Sequence, residues 1–229
     1  QELAKMMDHS LLKPFMTKEV IKAGCQEAIE LDVASVCIRP SDVPVAYKVL
    51  KGSSVNLSTV IGFPHGTTTT KTKVTEAEEA IKGGCVELDM VANIGWVKSG
   101  LWDLVKQDIR AVVEKAHDLG AKLKVIFENC YLEDAEKIKL CEICTELKVD
   151  WVKTSTGFGT GGATDEDLIL MRENTGPQVQ VKAAGGVRDL LRALRVRELG
   201  CTRFGCTVSA AILKEYETGV KDDAGSGTY

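Results

Sequence analysis

The sequence has no long apolar run, no excess of basic residues and no low-complexity linker. A helix needs about 20 apolar residues to span a bilayer, and no run in the 229 residues approaches that length. The formal net charge of -4 argues against nucleic acid and against an anionic membrane as the main partner. No basic and then apolar leader opens the chain, although Gln1 in place of methionine suggests a trimmed or incomplete start. We therefore expect one globular domain at 1–220, followed by a polar, mobile tail at 221–229.

Metal ligands and disulfide patterns are also scarce. The three histidines, His9, His65 and His117, do not have the spacing of a metal site. Eight cysteines are scattered along the chain, and only Cys141 and Cys144 are close together, without a second pair or a histidine cluster nearby. We expect no metal, no cofactor and reduced thiols in a cytoplasmic protein, with most cysteines packed as small core residues.

Short β-rich runs alternate regularly with longer amphipathic stretches. The predicted strands are near Met6–His9 and at Ser35–Ile38, Val55–Ile61, Val86–Val91, Leu123–Phe127, Trp151–Thr154, Val179–Lys182 and Arg203–Cys206. Eight β/α units in one domain predict a (β/α)8 barrel. A doubly wound open sheet is the alternative, but it usually carries a G-x-G-x-x-G turn after the first strand, and this chain has none there.

Charged residues stand near the ends of three predicted strands. Glu87 and Asp89 alternate with apolar residues on strand four, Lys153 ends strand six, and Lys182 ends strand seven. Because catalytic groups of such barrels lie at the C-terminal ends of the strands, we expect Asp89, Lys153 and Lys182 to converge at the top of the lumen.

Two buried lysines and a carboxylate suit covalent chemistry on a carbonyl compound. A lysine amine attacks a carbonyl only when it is neutral, and burial beside a second cation favours its neutral form. A neighbouring carboxylate can pass the protons of carbinolamine formation and dehydration. The alternative is a buried Lys–Asp salt bridge that only fills the barrel interior.

Glycine-rich turns follow strands six, seven and eight, where barrels of this class commonly bind phosphate. Gly157 follows Lys153, Gly185 and Gly186 follow Lys182, and Gly205 lies in the last strand, close to Thr207. Three such turns at consecutive strand ends predict an anion site, and hence a phosphorylated substrate.

Five motifs occur in this chain in the order found in the deoxyribose-phosphate aldolase family, which they resemble from about Met7 to Ile212. They are Asp8-His9-Ser10-Leu11-Leu12-Lys13-Pro14, Ile61-Gly62-Phe63-Pro64-His65-Gly66, Glu87-Leu88-Asp89-Met90-Val91, Val152-Lys153-Thr154-Ser155-Thr156-Gly157-Phe158 and Val181-Lys182-Ala183-Ala184-Gly185-Gly186-Val187-Arg188. The resemblance implies a metal-free class I aldolase with a (β/α)8 fold. Such an enzyme reversibly cleaves 2-deoxy-D-ribose 5-phosphate to acetaldehyde and D-glyceraldehyde 3-phosphate.

The resemblance also assigns roles by motif. It makes Lys153 the Schiff-base lysine, Lys182 the neighbour that tunes it, and Asp89 the proton-relay carboxylate. It gives the phosphate to Gly157, Gly185, Gly186, Gly205 and Thr207. The family often ends in a tail whose terminal tyrosine assists proton transfer, which would be Tyr229. Three positions depart from the family pattern: Ser10, where threonine is more common, Val208, where a second small hydroxyl residue is common, and Arg39, where asparagine is frequent.

Several alternatives stay open at this point. Another Schiff-base sugar-phosphate aldolase or a transaldolase would use the same lysine chemistry. A catalytically silent sugar-phosphate binding protein would need only the glycine turns, and would leave Asp89, Lys153 and Lys182 unexplained. A homodimer and a homotetramer are both compatible with the sequence.

Overall fold

The predicted strands form one closed barrel in the computed structural model of the protein, which describes residues 2–219. All eight strands are parallel, and they follow one another around the barrel in chain order, with β8 pairing back to β1. The (β/α)8 fold expected from the alternating pattern is therefore confirmed. The predicted tail at 221–229, including Tyr229, lies outside the described residues.

The strands are short, as is usual for such a barrel. They are β1 Met7–Leu11, β2 Ser35–Ile38, β3 Asn56–Ile61, β4 Glu87–Val91, β5 Lys122–Ile126, β6 Trp151–Lys153, β7 Gln180–Ala183 and β8 Arg203–Cys206. The helices are α1 Lys18–Glu30, α2 Val43–Leu50, α3 Thr70–Lys82, α4 Ile94–Lys98, α5 Trp102–Asp118, α6 Asp134–Glu146, α7 Asp165–Asn174, α8 Leu190–Glu198 and α9 Ser209–Thr218.

Local sequence signals explain where several helices begin. Thr17, Thr69 and Thr164 each cap a helix by accepting a hydrogen bond from a backbone N–H three residues on. The helical pattern of the sequence from Arg188 to Leu199 predicts that α8 begins at Arg188. Asp189 caps this helix in the same way, so α8 begins at Leu190. The short helix α4 was missed, because five residues are too few to establish a helical period.

Alternation along each strand separates the core from the lumen. Leu88 and Met90 on β4 are fully buried in the hydrophobic layer that also holds Val125, Val152 and Val181 of the following strands. This layer packs the barrel against its helices. The opposite set of side chains carries the charges, so the pleat aims them into the lumen.

Two further features of residues 2–219 bear on function. None of the helices there is long and apolar enough to cross a membrane. Within the same range, no group of three or more histidine, cysteine, aspartate or glutamate side chains could hold a metal ion.

Candidate active site

Seven ionisable side chains fill the lumen of the barrel, and each is almost fully buried. Three of them are acidic and four are basic: Asp8, Glu87, Asp89, Lys124, Lys153, Lys182 and Arg203. They come from six different strands, and strand register places them side by side, since Asp89 is level with Lys124 and Lys153 is level with Lys182. These seven residues are called the charged cluster below.

Asp89 is the centre of the charged cluster. Its Oδ2 atom accepts a hydrogen bond from Lys153 Nζ at 2.7 Å and another from Lys182 Nζ at 2.8 Å. Its Oδ1 atom accepts one from Lys124 Nζ at 2.9 Å. The structure thus brings together the three residues that the strand pattern predicted to converge, and adds a third lysine.

A lower tier of contacts holds the remaining charges. Lys124 Nζ lies 2.5 Å from Glu87 Oε2, and Arg203 donates to both carboxylate oxygens of the same Glu87. Lys182 Nζ lies 2.5 Å from Asp8 Oδ2. Because every charge has an opposite partner, the lumen tolerates ionised groups that would otherwise be very costly to bury.

The charge count of the cluster leaves one base in excess, four against three, if every group is ionised. Burial makes an uncompensated charge unfavourable, so one basic group is expected to lose its proton. At each of the four basic residues, burial is the largest single influence on the pKa, and it opposes protonation. At Lys124, Lys182 and Arg203, however, the facing carboxylates outweigh it and raise the pKa. At Lys153 burial prevails, the ammonium of Lys182 adds to it, and the pKa is lowered despite Asp89. Lys153 is thus the basic group of the cluster that loses its proton most readily.

A cavity of about 490 Å³ opens above the charged cluster at the C-terminal ends of the strands. Of the four basic residues in the cluster, Lys153 is the one that lines this cavity. The glycine turns predicted to bind phosphate surround it, with Gly157 after β6, Gly185 and Gly186 after β7, and Gly205 and Thr207 at β8. A small phosphorylated substrate could therefore contact the amine and the backbone N–H groups together.

Two glycines bring the turns after β6 and β7 into direct contact. A Cβ atom on Gly162 would lie 2.5 Å from the carbonyl oxygen of Gly185, so only glycine fits there. Ala163 N donates to the carbonyls of Ala184 and Gly185, both at 3.0 Å, which fastens the turns together. Gly185 itself has a φ of +79°, which disfavours side chains with a Cβ.

Two buried polar residues support the loops around the cavity. Glu128 follows β5 in a left-handed conformation with φ of 59°, and its carboxylate accepts hydrogen bonds from the backbone N–H and the hydroxyl of Thr156. His9 contacts Ser209 Oγ through Nδ1 at 2.9 Å, at the start of α9. Burial lowers the pKa of His9 to about 4, so the ring is neutral near pH 7. Glu128 thus holds the loop after β6 through Thr156.

Sequence reasoning missed Asp8, Lys124 and Arg203. Lys124 alternates with Leu123 and Val125, the same period-2 signal that located Lys153, so the strand pattern could have found it. Asp8 and Arg203 lie at the first half of their strands, and nothing local says that they meet across the barrel. Trp151, predicted to share the face of Lys153, has its ring 5.0 Å from the Arg203 guanidinium.

The other residues considered are His65, His117, Cys37 and Arg39, and none of them lines the cavity beside Lys153. His65 is exposed, and His117 pairs with Asp150 on the surface at 2.8 Å. Cys37 is buried close enough to the charged cluster to interact with it. Burial and then the charge of Asp89 raise the pKa of its thiol to about 11, so Cys37 is protonated near pH 7. Arg39 does not add a free charge to the rim of β2, because its guanidinium pairs with Asp42 and donates to three backbone carbonyls.

A parallel barrel with a buried lysine of lowered pKa, at a cavity ringed by glycine turns, is the arrangement of an aldolase of the lysine-dependent class. Residues 3–207 match the DeoC/LacD family of aldolases, and the chain belongs to this family. The match covers all eight strands, so the assignment to the aldolases holds for the whole barrel.

Individual relatives agree with this assignment. A deoxyribose-phosphate aldolase of Rhodopirellula baltica is 57% identical over 214 residues, which are 93% of this chain and 89% of the relative. The crystal structure of a putative deoxyribose-phosphate aldolase from Coccidioides immitis is 38% identical, with a TM-score of 0.91 over 94% of this chain and 86% of that one. The tetrameric deoxyribose phosphate aldolase of Aeropyrum pernix is 27% identical, with a TM-score of 0.88 over 95% of this chain and 92% of that one.

Proposed function

We propose that this chain is a deoxyribose-phosphate aldolase, which cleaves 2-deoxy-D-ribose 5-phosphate reversibly to acetaldehyde and D-glyceraldehyde 3-phosphate through a Schiff base on Lys153. The observation that carries the proposal is the position of Lys153, which lines the cavity and is also buried beside Lys182 in the charged cluster, where burial and then Lys182 lower its pKa. The names of the relatives at about half identity support the choice of substrate.

The first steps follow from the neutral amine. Lys153 Nζ attacks C1 of the open-chain sugar, and loss of water from the carbinolamine gives the protonated Schiff base. This cation draws electrons from the C2–C3 bond as the C3 hydroxyl loses its proton. D-glyceraldehyde 3-phosphate leaves, and an enamine remains on Lys153. Protonation at C2 and hydrolysis then release acetaldehyde and regenerate the amine.

Asp89 and Lys182 divide the proton transfers in this scheme. Burial opposes ionisation of Asp89, but the charges of Lys124 and Lys182 and the hydrogen bond from Lys153 outweigh it and hold its pKa well below the usual range. Asp89 is therefore a carboxylate that orients the amine and passes protons on, but does not store them. The ammonium of Lys182, 2.8 Å from the same Oδ2 atom, is the nearest acid that can supply them.

The remaining roles are parts of the same proposal. Backbone N–H groups of Gly157, Gly185, Gly186 and Gly205, with the Thr207 hydroxyl, bind the phosphate. Tyr229 assists protonation of the enamine from the tail. A cytoplasmic location fits the eight free cysteines. A homodimer or a homotetramer is proposed for the assembly, and the tetramer described for the Aeropyrum pernix protein supports the second.

Trapping of the Schiff base tests the covalent step. Acetaldehyde and sodium borohydride should leave one ethyl group on Lys153, located by mass spectrometry of peptides, and Lys153→Leu should abolish the adduct. An adduct on Lys182 in the wild-type protein, or none, would overturn the mechanism.

The substrate is tested separately from the covalent step. Release of acetaldehyde from 2-deoxyribose 5-phosphate supports the proposed activity. Trapping on Lys153 without that cleavage, together with turnover of a ketose phosphate, would instead point to another Schiff-base aldolase or a transaldolase.

A further inference from the structure

Two cations at the mouth of the cavity have no hydrogen-bond or ion-pair partner among residues 2–219. Lys13 and Arg188 both line the cavity, and neither side chain forms a hydrogen bond or an ion pair in that part of the chain. None of the residues that line the cavity is a carboxylate. The mouth therefore carries a positive charge that residues 2–219 do not neutralise, as an anion site requires.

Arg188 follows the turn after β7, and Lys13 comes from the loop after β1, which is separated from β7 by β8 alone. Its Nζ atom lies 5.2 Å from the centre of the Phe158 ring. Phe158 comes directly after Gly157, and its ring packs edge-on against Phe63, with 5.4 Å between ring centres. The Lys13 ammonium is thus held beside the Gly157 turn by a cation–π contact, which leaves its N–H donors free for a stronger, anionic acceptor.

The loop that carries Lys13 is itself fastened by Arg39. The guanidinium donates to the carbonyl oxygens of Lys13 at 3.0 Å, Pro14 at 2.9 Å and Met16 at 2.9 Å. Its Nε atom donates to Asp42 at 2.6 Å, which fixes the fork in place. Three of its hydrogen bonds thus hold a single segment at 13–16, and the shorter, non-planar lysine could not reproduce them.

We propose that Lys13 is a specificity-determining residue that contacts the phosphate of the substrate, and that Arg39 is the positioning residue that holds Lys13 at the mouth of the cavity. This inference rests on the proposed function for the identity of the phosphorylated substrate. The charge of Lys13 discriminates phosphorylated from unphosphorylated sugar, whereas the backbone N–H groups of the glycine turns orient the phosphate.

Steady-state kinetics on two substrates test Lys13. For Lys13→Gln we expect KM for 2-deoxyribose 5-phosphate to rise about tenfold, as the loss of a charge-assisted hydrogen bond predicts. We expect kcat to stay within about twofold and kcat/KM for unphosphorylated 2-deoxyribose to be unchanged, because Lys13 touches neither the reactive carbonyl nor the charged cluster. Lys13→Arg should retain most of the affinity.

A matched control separates contact from long-range attraction. Lys22→Gln removes the same charge from an exposed position on α1, which begins a few residues after Lys13. This variant should behave as wild type at 0.15 M salt. An equal rise of KM in Lys22→Gln and Lys13→Gln, an equal loss with both substrates, or no change in Lys13→Gln would overturn the role of Lys13.

The role of Arg39 is tested with a variant that keeps its charge. Arg39→Lys should fold, as checked by its circular dichroism spectrum, and should raise KM for the phosphorylated substrate nearly as much as Lys13→Gln does. The double variant should be no worse than Lys13→Gln alone, because both changes remove the same contact. Additive effects, or an equal loss on unphosphorylated 2-deoxyribose, would mean that Arg39 does not act through Lys13.

Binding of inorganic phosphate, measured by isothermal titration, distinguishes this inference from the proposed function. Lys13→Gln should weaken phosphate binding by roughly five- to tenfold, and Lys22→Gln should not change it. If the protein does not cleave 2-deoxyribose 5-phosphate but this difference holds, the proposed substrate is wrong and the role of Lys13 stands. If the two variants bind phosphate equally, the role of Lys13 fails whatever the substrate is.

Discussion

Lys153 and Lys182 share one oxygen atom, Asp89 Oδ2, yet their pKa values shift in opposite directions. Burial favours the neutral form of both. Lys182 gains a second carboxylate, Asp8, at 2.5 Å, which keeps it charged, whereas Lys153 has Asp89 alone and faces the cavity. The number of carboxylates around each amine therefore supports the proposed roles, with Lys153 as the nucleophile and Lys182 as the acid.

The tuning role of Lys182 can be measured through the pH dependence of the reaction. In Lys182→Met the charge that disfavours a protonated Lys153 is absent, so the pKa of Lys153 should rise, and borohydride trapping should need a pH about one unit higher. Trapping rates at saturating acetaldehyde across a pH series give this midpoint. Coincident profiles for wild type and Lys182→Met would refute the tuning.

The sequence alone predicted that Asp89, Lys153 and Lys182 lie together, but not the directions in which their pKa values shift. Alternation on β4, β6 and β7 is enough to bring Asp89, Lys153 and Lys182 to one place, because the side-chain period of a strand is fixed. Which lysine is neutral depends on Asp8 and Lys124, which arrive from β1 and β5. A pairing across the barrel is set by closure and register, and no local pattern encodes either.

At the scale of elements, the loops after β6 and β7 act as one unit. Gly162 and Gly185 are in backbone contact, Ala163 bonds to two carbonyls of the neighbouring loop, and Glu128 accepts two hydrogen bonds from Thr156. A phosphate site made of backbone N–H groups needs such fixed loops, since flexible ones would lose entropy on binding.

Gly162→Ala tests whether the close contact between these loops matters. Gly162 does not have a positive φ, so the added methyl group acts only through its approach to Gly185, and must separate the two loops. We expect KM for the phosphorylated substrate to rise about tenfold or more while trapping of acetaldehyde on Lys153 persists. Gly95→Ala, whose Cβ would have its nearest neighbour at an ordinary 3.5 Å, is the control and should keep the wild-type KM. An unchanged KM in Gly162→Ala would show that the loops can separate without loss.

At the scale of the whole molecule, the barrel encloses charges where other proteins place aliphatic side chains. A buried ion pair contributes little net stability, and removing one member is costly because the other is left uncompensated. Lys153 is the exception within the cluster, because its burial lowers its pKa and so favours loss of its proton. A lysine whose folded pKa lies below its ordinary value of 10.5 destabilises the protein below that pH, and the penalty fades as the pH rises toward it. Reactivity and stability are therefore opposed at this one residue.

Thermal unfolding of two methionine variants measures that opposition. Lys182→Met leaves Asp8 without its nearest ammonium and should lower the free energy of unfolding at pH 7 by about 3 kcal/mol. Lys153→Met removes a neutral amine and one hydrogen bond to Asp89, which keeps Lys124 and Lys182, so its stability should lie within about 1 kcal/mol of wild type. Relative to wild type, the free energy of unfolding of Lys153→Met should be highest near neutral pH and should fall as the pH approaches 10. Equal losses in the two variants at pH 7 would mean that Lys153 is charged in the folded protein, and that the excess positive charge of the cluster is relieved elsewhere.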